Sequence, residues 1–290
     1  MTKLPLVFLA LSAIVAAQTA EERTMQFAGR PRTYRVHIPP RYDSSKAVPL
    51  VIGFHGGGGT SQTAERSLGF NPLSDRHGFL VVYPQGLDNH WNDGRVGARF
   101  PTTNSHDDVA FVRALVDEVC RNWKIDRRRI YSVGNSNGGF FGNRLGWEAS
   151  DIFAAISAGA GTIGKNVEAS FAPKGPVAIL EFHGTKDPMV PFEGGEVGDR
   201  GGTAIGARRM NELWAKANGC PAGPKVEELP GAKVTRETYS PCRAGADVVF
   251  YIVHGGGHGW PRQATAGIDA AEISWEFFAS HPKQDFPAER

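Results

Sequence analysis

Six short apolar runs dominate the sequence: "VPLVIGF" (48–54), "FLVVY" (79–83), "RIYSV" (129–133), "FAAISA" (153–158), "PVAILEF" (176–182) and "VVFYIV" (248–253). Each is too short for a buried helix, and most end in glycine, histidine or proline. Apolar runs with little polar alternation suit strands covered on both faces, the situation of a parallel sheet. A seventh stretch, "TYRVHI" (33–38), alternates like a half-buried strand. Helical patterns fall between the runs. In "SHDDVAFVRALVDEVCRNW", Val109, Val112, Val116, Val119 and Trp123 recur at helical steps, and Ser105 with Asp108 resembles a capping box. "ARRMNELWAKA" (207–217) is a second helix, and "DAAEISWEFFAS" (269–280) a third with Asp269 and Glu272 as its entry signal. Alternating strands and helices predict an α/β fold, a mostly parallel doubly wound sheet with helices on both faces. No repeat or linker divides residues 18–290, so a single domain is expected there.

The opening residues read differently. Lys3 precedes a largely apolar run from Leu4 to Val15, and Val15-Ala16-Ala17 offers the small residues of a cleavage site. Residues 1–17 are read as an export signal cut after Ala17, with a retained anchor as the alternative. The run is short for a bilayer span, so no stable membrane insertion is expected after cleavage, and the protein is placed in the periplasm or the medium. A formal charge of +2 over 290 residues gives nucleic acid no strong attraction, and the "RRR" at 127–129 reads as a solvated turn. Export makes Cys220 and Cys242 informative: in an oxidising compartment they could close a polar, Pro/Gly-rich loop, a bridge worth about 3 kcal/mol. Cys120 sits on the apolar stripe of a helix and reads as a buried free thiol. The cysteine spacings do not suggest structural zinc.

Against this frame "VGNSNGG" (133–139) gains meaning, because Ser136 follows the strand "RIYSV" and opens a segment able to continue as a helix. Strand, sharp turn and helix are what a nucleophile elbow requires, with Gly134 and Gly138 leaving room for the crowded backbone. A serine hydroxyl needs a base, and the base needs an orienting acid. In chain order the acid comes next, and Asp187 lies just beyond the end of "PVAILEF". The last strand delivers "HGGGHGWP", which makes His258 the base. His254 is its rival, and Glu193 and Asp199 are rivals for the acid, on a loop with no strand to fix them. The glycines of "FHGGGG" (54–59) let backbone N–H groups approach a developing oxyanion. Asn137 supplies one donor, and Gly57 or Gly58 the other.

Taken together, "FHGGGG", "GFLVVYPQG", "WND", "DDVAFVRALVDEV", "RIYSVGNSNGG", "FHGTKDPMVPFEGG", "NGC" and "GGGHGWP" resemble the secreted esterase family named for poly(3-hydroxybutyrate) depolymerases, which also includes feruloyl and other plant-biomass esterases. The likeness runs from about residue 25 to 280. It implies an α/β-hydrolase fold, no cofactor, and the triad Ser136, Asp187 and His258. Dedicated polyester depolymerases often carry a separate substrate-binding module, for which this length leaves no room. The expected partner is therefore an ester substrate linked to plant polysaccharide, feruloyl or acetyl. Polyhydroxybutyrate or another polyester is the alternative, and a non-catalytic polymer- or carbohydrate-binding relative is the reading from another class. A peptidase of the prolyl oligopeptidase type would need a large extra domain.

Trp91 and Phe192 follow strand ends, where they could flank an aromatic or sugar-linked acyl group; packing a loop onto the core is the equal alternative. No long apolar insertion resembles a lipase lid. Two motifs are read as decoys. "GAGTIG" (159–164) follows a strand, but Pro173 and Pro176 break the helix a dinucleotide site would need. The histidines of "HGGGH" flank three glycines rather than a helical turn, so no metal site is expected.

Overall fold

All six apolar runs become neighbouring parallel strands. The computed structural model describes residues 20–97, 106–198 and 201–284; the leader, Ser105 and Asp199 lie outside them. Among the described residues twelve strands are formed: β1 (Glu21–Phe27), β2 (Arg30–His37), β3 (Val48–Phe54), β4 (Leu80–Pro84), β5 (Ile125–Asn135), β6 (Ala155–Gly159), β7 (Ala178–Gly184), β8 (Gly194–Glu196), β9 (Thr203–Ile205), β10 (Lys225–Glu228), β11 (Val234–Tyr239) and β12 (Val248–Val253). Helices are α1 (Ser61–Leu68), α2 (Phe70–His77), α3 (Asp108–Asn122), α4 (Asn137–Glu148), α5 (Ala207–Ala217), α6 (Gln263–Ala266) and α7 (Ala270–Ser280).

The main sheet has ten strands in the order β1-β2-β4-β3-β5-β6-β7-β12-β11-β10. The stretch from β4 to β12 is parallel, while β1–β2 at one edge and β10–β11 at the other are antiparallel extensions. β8 and β9 form a separate hairpin. Successive side chains of a strand point to opposite faces, so each buried run feeds two cores. Leu50, Ile52 and Phe54 of β3 pack with α3, α4 and α5, whereas Val51 packs with α1, α2 and α7. Burial on both faces explains why these runs lack polar alternation.

Three local readings are corrected. The N-cap of α3 is Asp107, whose carboxylate accepts from Ala110 N at 2.9 Å. Asp108 instead turns inward, where it accepts from Arg32 at 3.0 Å and from Asn92 N at 2.9 Å. Arg127–Arg129 lie at the start of β5 rather than on a turn, with Arg127 paired to Asp117 and Arg129 to Asp126. Cys120 is free but only half-buried. Cys220 and Cys242 are bonded, with Cα atoms 4.2 Å apart, tying the end of α5 to the turn before β12.

Candidate active site

The site is assembled where the parallel strands end. β5 runs straight into Ser136, whose backbone adopts φ 57°, ψ −125°, and α4 begins at the next residue. A non-glycine residue held there stores on the order of 1–3 kcal/mol of strain. The surroundings enforce it: Ser136 N donates to Gly159 O on β6 at 2.8 Å. A Cβ on Gly134 would lie 2.5 Å from Gly138 O, and one on Gly138 would lie 2.4 Å from Phe54 O. Only glycine lets β3, β5 and α4 meet so closely.

Asp187 sits on the turn after β7 and His258 on the loop after β12, and the two are brought together. Asp187 Oδ2 lies 2.8 Å from His258 Nδ1, and Oδ1 accepts from Met189 N at 2.8 Å and Val190 N at 2.9 Å. An ionised carboxylate only accepts, so Nδ1 carries the hydrogen and the lone pair belongs to Nε2. Burial pushes the Asp187 carboxyl up, but the His258 ring and the two backbone N–H groups outweigh it and hold the carboxyl below its ordinary value. The rivals stand elsewhere. His254 Nε2 is 2.6 Å from Thr235 Oγ1, a local bond at the end of β12, and Glu193 is exposed.

The glycine loop after β3 approaches the elbow: a Cβ on Gly56 would lie 3.5 Å from the Ser136 Cβ. Gly58 N already donates to Asn89 O at 2.9 Å, and Gly59 N to Gly56 O at 3.0 Å. The backbone N–H groups of Gly57 and Asn137 have no hydrogen-bond partner among the described residues. Gly58 N is thus already engaged, whereas Gly57 N is not. His55 at the root of the loop accepts from Gly86 N at 3.0 Å and donates to Gly56 O at 2.8 Å. Burial drives its pKa down to about 4, so the ring is neutral and acts as a bracket.

The Asn137 side chain has a structural task not read from the sequence. Its Oδ1 accepts from Trp91 N at 2.8 Å, and its Nδ2 donates to Trp91 O at 3.0 Å and Asp93 Oδ2 at 2.7 Å. Asp93 in turn pairs with Arg95 at 2.6 Å, whose guanidinium lies 3.8 Å above the Phe140 ring. The signal available was "WND" itself, a tryptophan followed by two residues able to bond backbone.

Trp91 and Phe192 are both placed in the core rather than on a rim. Trp91 is 1% exposed, stacked on Phe141 at 5.2 Å, with its indole N–H donating to His55 O at 3.0 Å. Its partners satisfy both the apolar face and the polar edge, so burial wins over exposure. Phe192 stacks on Phe250 at 6.0 Å and meets His183 edge-on. Neither ring is a surface platform. Among the described residues no group of three or more His, Cys, Asp or Glu is placed to hold a metal ion.

A serine on a strand-to-helix elbow, with an aspartate and a histidine on later strand ends, defines an α/β-hydrolase. The family described as Esterase PHB depolymerase matches residues 32–176. A Nocardia uniformis subsp. tsuyamanensis protein named "Putative esterase NocK" is 32% identical over 90% of this chain and 81% of its own. Feruloyl esterase B of Piromyces equi is 31% identical over 77% of this chain, which spans 42% of that longer protein. The solved acetyl xylan esterase from Aspergillus awamori superposes with a TM-score of 0.65 over 90% of this chain and 99% of its own, at 14% identity. The chain belongs to the PHB-depolymerase esterase family.

Proposed function

We propose that the protein is a serine carboxylesterase that works through an acyl-enzyme at Ser136, on feruloyl or acetyl esters of plant polysaccharide. The observation that carries this reading is the 2.8 Å bond between His258 Nδ1 and a buried Asp187, on loops that end the same sheet as the Ser136 elbow.

His258 Nε2 takes the hydroxyl proton as Ser136 Oγ attacks the ester carbonyl, and Asp187 holds the imidazole tautomer and stabilises its charged form. The oxyanion accepts from the N–H groups of Gly57 and Asn137, each donor stabilising the transition state by about 3 kcal/mol. The tetrahedral intermediate collapses as the C–O bond to the alcohol breaks, and the alcohol leaves with the proton from His258. Water then loses a proton to His258 and attacks the acyl carbon, releasing the acid and restoring Ser136.

Feruloyl and acetyl xylan esterases among the relatives and structural neighbours support the substrate class. The family description itself favours a second reading, a polyester such as polyhydroxybutyrate. The Cys220–Cys242 disulfide and the sequence of residues 1–17 support export to an oxidising compartment. Parallel assays on methyl ferulate, acetylated xylan, amorphous polyhydroxybutyrate and p-nitrophenyl esters test the assignment. Turnover of feruloyl or acetyl esters is expected. Rapid clearing of the polyester with no activity on sugar-linked esters would overturn the substrate and leave the mechanism standing.

A further inference from the structure

β7 carries an acid and an imidazole where its other residues are apolar or glycine. Glu181 and His183 are buried, two positions apart, and therefore on one face of the sheet. A carboxyl group so placed is tolerated only with partners. Asn211 on α5 donates to Glu181 Oε2 at 2.9 Å and to Ala207 O at 2.9 Å. The other oxygen, Oε1, stands 3.7 Å from His183 Nδ1, and neither atom makes a hydrogen bond among the described residues. Across the ring, His183 Nε2 lies 2.9 Å from Val190 O and 3.6 Å from Asp187 Oδ2.

Donor and acceptor roles follow from the partners. A carbonyl only accepts, so His183 Nε2 carries hydrogen and donates to Val190 O. Nδ1 then either faces the hydroxyl of a neutral Glu181 or carries a hydrogen that an ionised Glu181 attracts. In both cases the hydrogen faces across the 3.7 Å gap between Oε1 and Nδ1, an electrostatic contact rather than a hydrogen bond. Burial pushes the Glu181 carboxyl up; burial also works against the charged His183 ring, but Glu181, Val190 O and Asp187 outweigh it and raise the imidazole. Val190 is also one of the two residues whose N–H fixes Asp187, at 2.9 Å, so His183 grips the far side of the turn that aims Asp187 at His258. The titratable groups that meet here are Glu181 and His183 on β7, Asp187 on the turn and His258 on the loop after β12. α5 presents Asn211, and β12 presents Phe250 and Ile252 beside Phe192.

We propose that Glu181 and His183 are positioning residues for the triad: His183 holds the Asp187–Val190 turn through Val190 O, and Glu181 keeps the hydrogen on the ring nitrogen that makes this grip. The proposal rests on the esterase reading above and adds to it two residues that touch no reacting atom.

Four substitutions separate this role from simple packing. His183→Leu removes the donor, so Asp187 drifts and the His258 imidazolium loses support. His258 then titrates at lower pH, the acid limb of kcat/KM moves down with it, and kcat falls up to about a hundredfold with KM little changed. His183→Gln retains a side-chain N–H for Val190 O and recovers most of the loss. Glu181→Gln still offers a hydrogen to Nδ1 and behaves like the unaltered protein, whereas Glu181→Leu behaves like His183→Leu. Glu181→Leu gives the same comparison if His183→Leu does not fold. Histidine titration by NMR reads His258 without substrate, alongside kcat, KM and the pH profile. A lowered His258 midpoint in the leucine variants and an unchanged one in the glutamine variants are expected. An unchanged midpoint and kcat in the leucine variants, or Glu181→Gln as damaged as Glu181→Leu, would overturn the proposal. An inactive unaltered protein that still gives the expected NMR pattern would sink the esterase reading and leave the positioning role in place.

Discussion

Asn137 grips both the N–H and the carbonyl of Trp91, at 2.8 and 3.0 Å, while its own backbone opens α4. One residue thus joins the elbow to the loop carrying "WND". Asn137→Ala keeps the backbone N–H proposed as an oxyanion donor but strands Trp91 N and Trp91 O in the interior, while Asp93 keeps its bonds to Arg95. Each unsatisfied group costs about 1–3 kcal/mol, and a domain of this size loses roughly 2–4 °C in Tm per kcal/mol. Thermal unfolding is expected to show a drop of several degrees, with kcat reduced; an unchanged Tm would contradict the bracket.

Trp91 gives a second prediction. Its ring is enclosed by Phe54, His55 and Phe141. Trp91→Ala should therefore destabilise the fold by about 3–5 kcal/mol. Per folded molecule, kcat/KM should fall by similar factors for p-nitrophenyl acetate and for feruloylated oligosaccharide. A loss confined to the larger substrate would return the indole to a binding role.

Adjacent glycines should respond oppositely. A Cβ on Gly57 would lie 2.6 Å from the His90 ring, whereas Gly58 has open space but φ of +74°. Gly57→Ala shifts the backbone N–H and should cut kcat by roughly 10²–10³. Gly58→Ala should cost about 1–2 kcal/mol of stability and leave kcat within a few-fold. Kinetics on purified variants checks this; equal losses would contradict the donor assignment.

His55 ties stability to pH. Its folded value of about 4 is depressed from the ordinary 6.5 because the charged ring is poorly solvated. The unfolded chain binds the proton more readily, so this contribution is fully present above pH 6.5 and is lost as pH falls towards 4. Its size is on the order of 3 kcal/mol. In His55→Asn the slope of Tm between those limits should flatten, and an unchanged slope would place the acid sensitivity elsewhere.

The parallel core and the three triad candidates were legible because their signals are local: an apolar run, then a glycine, histidine or aspartate at its end. The flanking strands β1, β10 and β11 were not: the edge strands "EERTMQF" and "KVEE" bury little and carry the charges that edges tolerate, and "VTRETY" between β10 and β12 mixes charged and apolar residues. Trp91 was open to two readings because its neighbours Asn92 and Asp93 resemble a solvated loop. Three of their partners, Asp108, Asn137 and Arg144, lie at least 16 positions away in the chain. Glu181 and His183 were hidden in the same way: an acid inside an apolar run declares no role until Asn211, 30 residues on, comes to meet it.

The central claim is that Ser136 carries the acyl group. Acid quenching of the enzyme during turnover of a p-nitrophenyl ester, followed by peptide mass analysis, tests it directly. An acyl adduct on Ser136, absent together with turnover in Ser136→Ala, is the predicted result. Turnover that survives Ser136→Ala, or an adduct on another residue, would contradict it.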